Sequence, residues 1–170
     1  FSISLDASNL SYSGLAVNDT NAFNRLIEPV AVMLIPGSHR LTLTNDRDPG
    51  AAFDFTVEAD GTLQFDPSLD TLIDGRGTRD MVLRGTQVNI DFSELSYIQF
   101  TLAGAGSFTT TTTNEPVSFI LMPGGHGLTM TTSRGPEPGF DFTVEADGTL
   151  QFDPSFDTLI DGRGTRDMVL

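Results

Sequence analysis

Two histidines and seventeen aspartates are the side chains of this sequence best suited to proton transfer or metal binding near neutral pH. His39 and His126 each follow a Pro-Gly turn dipeptide, Pro36-Gly37 and Pro123-Gly124. A histidine in such a place can act as a general base or as a neutral imidazole ligand. The parity of the chain offers a plainer reading. His39 shares one face of a predicted strand with Leu41 and Leu43, where a ring can close off the core with its edge hydrogen-bonded. One histidine per unit, with no carboxylate partner fixed by spacing, is a thin catalytic site. Ser38 beside His39 is no triad member, because neighbouring strand residues point to opposite faces and Gly125 replaces it beside His126. No G-x-S-x-G elbow occurs.

The aspartates raise the question of calcium. Asp66, Asp70 and Asp74 are four apart, and Asp153, Asp157 and Asp161 repeat that spacing; Asp80 and Asp167 follow in the next loop. Asp46 and Asp48 form a denser oxygen cluster in Asn45-Asp46-Arg47-Asp48, which the corresponding Thr132-Ser133-Arg134-Gly135 lacks. Calcium needs six to eight oxygens converging at about 2.3–2.6 Å, and the D-x-D-x-D-G loop pattern is missing. A helix cap, a solvated face and a turn account for the same residues. Calcium is therefore the one cofactor these carboxylates could take, and the expectation is that no cofactor is needed. Paired carboxylates of glycosidase type would have to face each other across a cleft, which no spacing here specifies.

Asp74-Gly75-Arg76-Gly77-Thr78-Arg79-Asp80 recurs unchanged at 161–167. It reads as a tight turn whose arginines and aspartates pair with each other, or as a recognition loop presented twice. The Thr-x-Thr pairs at 42–44 and 129–131 are too few for a flat threonine array.

Composition narrows the partners. The chain has 170 residues, 9 basic and 23 acidic, for a net charge of −14; every basic residue is Arg. Such a surface repels phosphate backbones, so nucleic acid is not an expected partner. No apolar run approaches the roughly 18–20 residues of a membrane span. With no Cys, disulfides and thiolate metal sites are excluded; with no Trp and two Tyr, an aromatic sugar platform is disfavoured. The first residue is Phe1, which leads us to expect a processed or trimmed product. An acidic, Thr-rich, Lys-free composition fits an extracellular or cell-surface setting better than a cytoplasmic one.

The elements that must position these residues come as a repeat. Residues 53–83 and 140–170 are identical at all of 31 positions but one, Leu69 against Phe156. Upstream, 28–52 matches 115–139 at 12 of 25 positions, and Leu10-Ser11-Tyr12 matches Leu95-Ser96-Tyr97. Each unit of about 85 residues, 1–85 and 86–170, has the size of a small β module.

Alternation of Phe1, Ile3 and Leu5, and of Val88, Ile90 and Phe92, predicts a first strand per unit. Tyr97–Leu102 predicts another. The continuous apolar run Val30–Ile35 predicts a strand buried on both faces. Phe53, Phe55 and Val57, then Leu63 and Phe65, form the arms of a hairpin turned at Ala59-Asp60-Gly61. Asp66-Pro67 through Gly75 carries an N-cap, a Pro at the first helical position and a terminal Gly, which predicts a helix of about two turns. Met81–Leu83 ends the unit, and Ala103–Asn114 reads as a loop.

These features predict a mainly β protein of two pseudo-symmetric, sandwich- or barrel-like repeats, each with one short helix. With only about three residues, Arg84-Gly85-Thr86, separating two β-like runs, a hairpin would fuse the repeats through a shared sheet, and Met168–Leu170 would close on Phe1–Leu5. The sequence favours a non-enzymatic extracellular or cell-surface module with a structural, adhesive or assembly role, engaging itself or a protein or surface partner. The alternative is a secreted enzyme or small-ligand-binding protein with a site near His39 and His126.

Overall fold

The computed structural model describes every residue except 13, 24–26, 46–47, 92, 94–98, 103–105, 110–114 and 133–134. The described residues form seventeen strands and two single 3-10 turns, so the chain is mainly β. The first half holds β1 (Ser2–Asp6), β2 (Gly14–Val17), β3 (Asn21–Phe23), β4 (Val30–Met33), β5 (Gly37–Asn45), β6 (Asp48–Val57), β7 (Leu63–Phe65), β8 (Ile73–Asp74) and β9 (Asp80–Leu83). The second holds β10 (Thr86–Asp91), β11 (Gln99–Leu102), β12 (Gly106–Thr109), β13 (Val117–Leu121), β14 (Gly124–Thr132), β15 (Gly135–Val144), β16 (Leu150–Phe152) and β17 (Asp167–Val169).

Four separate sheets result, with strand orders β4-β1-β9-β8, β3-β2-β5-β6-β7, β13-β10-β17 and β12-β11-β14-β15-β16. None of the four closes into a barrel. Alternation of burial explains the strands: β1 buries Ile3 and Leu5, β10 buries Val88 and Ile90, and β7 and β16 bury Leu63, Phe65, Leu150 and Phe152. The buried side chains of all four sheets belong to one contiguous cluster. Fully burying a Leu, Ile or Phe contributes about 1.5–3 kcal/mol.

The expected shared sheet does not form. β9 pairs in parallel with β1, Leu5 opposite Met81, and antiparallel with β8 on its other side. β10 is likewise held between β13 and β17, Ile90 opposite Met168. Each of β9 and β10 is thus flanked on both sides by strands of its own half. The chain instead turns between sheets at Arg84-Gly85, whose N–H groups both donate to the Leu72 carbonyl, with Gly85 at φ +64°. Met168–Leu170 likewise stays with β10 and does not join Phe1–Leu5.

Three further expectations change. The two-turn helix is a single 3-10 turn, Pro67–Leu69, repeated at Pro154–Phe156. Leu72 closes one more turn on Leu69 O, and Ile73 then leaves to pair in β8 opposite Leu83 of β9. The run Val30–Ile35 is not covered on both faces: β4 is an edge strand, burying Val32 and Leu34 while Met33 and Ile35 are 75% and 76% exposed. Within 103–114, residues Gly106–Thr109 form β12 against β11; the rest of that stretch lies outside the described residues, as do Phe92, Tyr97 and Ile98. The hairpin at Gly61 forms as expected, with φ +88° and the Glu58 N–H donating to Thr62 O.

The halves meet through side chains and loops. Ser11 and Tyr12, just after β1, contact β13 and the residue following it, and β6 packs on β14.

Candidate functional site

His39 lies in β5, two residues after the Pro36-Gly37 turn, and is 8% exposed. Its ring packs at 5.5 Å from that of Phe55, its cross-strand partner. Asn18 decides its tautomer. This residue occupies the left-handed region, φ +52°, in the turn between β2 and β3, a conformation asparagine tolerates. Its Oδ1 accepts the Arg40 backbone N–H at 2.9 Å, so its Nδ2 donates to His39 Nδ1 at 2.8 Å. His39 Nδ1 is thereby an acceptor, and the proton sits on Nε2, which donates to Ile35 O at 2.9 Å. Both ring nitrogens are engaged with the protein. That is the chemistry of a core polar clamp.

His126 occupies the same place in β14, 4% exposed, with Nε2 bonded to Met122 O at 3.2 Å. Its ring lies 5.5 Å from Phe142 and 6.2 Å from Tyr12. Burial pushes the Tyr12 hydroxyl's pKa well above its ordinary value.

The aspartates disperse. Asp66 and Asp153 cap the 3-10 turns, each accepting the N–H two residues on, from Ser68 and Ser155, at 2.8 Å. Those bonds hold both carboxyls below the usual Asp range. Asp70 pairs with Arg76 at 2.5 Å, Asp157 with Arg163, and Asp74 with Arg84. Asp167 accepts from Asn89 Nδ2 at 2.7 Å. The Asp80 backbone carbonyl accepts from Thr78 Oγ1, and Asp161 exchanges backbone bonds with Val169. Asp48 begins β6, and Asp46 lies outside the described residues. Among the described residues, no three carboxylates or histidines come together as a metal would need.

The repeated Arg-Gly-Thr loop is closed by its threonine, Thr78 bonding Gly75 O and Asp80, while its arginines pair outside the loop and not with its own aspartates. Arg76 reaches back to Asp70 and lies over the Phe65 ring at 4.5 Å; Arg163 does the same with Asp157 and Phe152. Arg79 crosses to Asp60 O and covers Phe1 at 4.8 Å. These arginines act as clips that hold the loop to the sheet.

One surface depression stands out, about 570 Å³, open to solvent, on the outer face of β14–β16. Gly125 and Gly127 form part of its lining, and Asp141, Thr143, Gln151 and Asp153 also line it. The corresponding depression over β5–β7, lined by Ser38, Asp54, Thr56, Gln64 and Asp66, is about 290 Å³. Two register positions differ between them: Gly125 stands where the first half has Ser38, and Gly127 where it has Arg40. Arg40 faces Asp54 across β5–β6 and binds it at 2.9 Å, whereas Gly127 faces Asp141 across β14–β15. His126 is among the residues lining the larger depression, and His39 lines neither.

Asn18 and the Asp141 depression carry no signal in local spacing: Asn18 meets His39 from 21 residues away. Only Asn18-Asp19 as a turn pair hinted at its conformation. The fold and site together define a mainly β chain of four sheets in which His39, Asp66, Asp70, Asp74, Asp153, Asp157 and Asp167 are bonded internally. No protein-family model, curated protein or solved structure matches this chain.

Proposed function

We propose that this chain is a non-catalytic extracellular or cell-surface module, two pseudo-symmetric sandwich-like β repeats packed as one domain, with a structural, adhesive or assembly role. The observation that carries the reading is the use of its polar side chains. His39 is bonded at both ring nitrogens, and Asp70, Asp74 and Asp157 are bonded to arginines. Groups held this way fix loops and turns. The acidic surface and the exposed apolar edge at Met33 and Ile35 fit a module that meets partners through its faces and edges.

A second reading, a small-ligand-binding protein, draws on the Asp141 depression, where a carboxylate lines an open recess with Gly127 in the place of Arg40. A thermal-shift panel of divalent cations, amino acids and sugars separates the two. The first reading expects no compound to raise the melting temperature by more than about 2 °C, since a ligand of the folded state stabilises by mass action. A larger shift that disappears in Asp141→Asn establishes the second.

A further inference from the structure

The contact between the halves uses a surface of the second half whose counterpart in the first is bare. Residues 28–37 (EPVAVMLIPG) align with 115–124 (EPVSFILMPG), so Met33 corresponds to Ile120, Ile35 to Met122 and Gly37 to Gly124. In the second half these positions are covered. The Ser11 N–H donates to Ile120 O and Ser11 Oγ accepts the Ile120 N–H, both at 2.9 Å. The Tyr12 hydroxyl accepts the Met122 N–H at 3.1 Å, and Met122 is 1% exposed. A Cβ on Gly124 would meet Ala51 at 3.3 Å. At Gly85 the packing is tight enough that a Cβ would strike Leu10 at 2.7 Å and Ile120 at 3.1 Å.

In the first half the same positions are open. Met33 is 75% and Ile35 76% exposed, and nothing lies within 4 Å of where a Gly37 Cβ would stand. Leu34 exchanges both backbone bonds with Phe1, so antiparallel alternation turns the Met33 N–H and C=O toward the open edge of β4. Among the described residues the contact is heterologous: a Leu-Ser-Tyr segment of the first unit covers a strand edge of the second, and the matching edge of the first stays exposed. Contacts of that type repeat between molecules unless the rotation closes a ring. The second half carries its own copy of the covering segment, Leu95-Ser96-Tyr97.

We propose that Leu95-Ser96-Tyr97 of a second copy of this chain docks on the open edge of β4 over Met33 and Ile35, as Leu10-Ser11-Tyr12 docks on β13, joining molecules head to tail. This names the partner within the assembly reading given above. The interface would pair an unprotected strand edge and cover two large apolar side chains, the two features that make an edge strand associate. At a charge of −14 per chain, copies repel, so association strengthens as salt screens that repulsion.

Sedimentation velocity over a concentration series, at low salt and at about 0.5 M NaCl, tests the proposal. The weight-average mass should rise with concentration without stopping at a dimer, and more at high salt. Ile35→Asp removes the acceptor and Tyr97→Ala the donor; each alone should weaken association at least about tenfold. Ile35 is exposed, so Ile35→Asp should keep the monomer's melting temperature. Mixed together, the two variants should form a one-to-one complex that grows no further, because each retains one working end. A monomer at every concentration overturns the proposal, as does association indifferent to Ile35→Asp or a mixture that stays apart. A monomer whose melting temperature falls in both variants shows that 95–97 covers β4 within its own molecule, which also overturns it. None of these outcomes bears on whether the chain is catalytic, which the thermal-shift panel decides.

Discussion

The Tyr12 hydroxyl accepts the Met122 backbone N–H at 3.1 Å, a bond between residues 110 apart that fastens the first half to the second. Both groups are buried, so neither finds water if the other is removed. Tyr12→Phe should cost about 1–3 kcal/mol by leaving that N–H without an acceptor, measurable by urea denaturation. Burial raises the Tyr12 pKa above 10.0, so the stability it contributes is present below that pH and is lost as pH rises past it. Wild type should therefore lose melting temperature above pH 10 more steeply than Tyr12→Phe.

Asn18 bonds His39 and Arg40 at once. Asn18→Ala strands the buried Nδ1 of His39 and places Ala at φ +52°; the expected loss is about 1–3 kcal/mol. Asn18→Gly removes the same bonds but relieves the backbone, so it should melt above Asn18→Ala. Equal melting temperatures would mean that the backbone conformation contributes nothing.

Acid should weaken the protein in a defined window. Asp60 and Asp147 accept from the N–H and hydroxyl of Thr62 and Thr149, and Asp66 and Asp153 from Ser68 and Ser155. All four carboxyls are held below 3.8. Their contribution is complete above pH 3.8 and is lost as pH falls through the lower folded values. Replacing all four by Asn, which keeps an acceptor oxygen, should flatten the fall of melting temperature between pH 4 and pH 2.

EDTA should move the melting temperature by less than about 2 °C, because a structural ion stabilises by mass action and its removal would show more. A larger fall that calcium restores would direct attention to Asp46 and Asp48.

The local alternation of Phe53, Phe55 and Val57 was enough to read β6, and the Ala59-Asp60-Gly61 turn was enough to join it to β7. The parallel pairing of β1 with β9 was not legible, because nothing near Leu5 encodes a partner 76 residues away. The one-sided cover of the Val30–Ile35 run is illegible for the same reason: hydrophobicity records that a strand exists, but the neighbours decide which face is covered. At the candidate site, the burial of His39 followed from its parity, while its bond to Asn18 depended on how β2 and β5 align.

β9 and β17 both begin with the same Asp-Met-Val sequence, and each is the last strand its own half requires. During refolding from denaturant, β1 meets two indistinguishable candidates for its parallel neighbour. Long-range pairing of this kind is slow to form, and the wrong choice must be undone before the right one can succeed. Synthesis on the ribosome removes the ambiguity for the first half, since residues 80–83 emerge well before 167–170. Folding during translation should therefore be faster and cleaner than folding of the whole chain from denaturant.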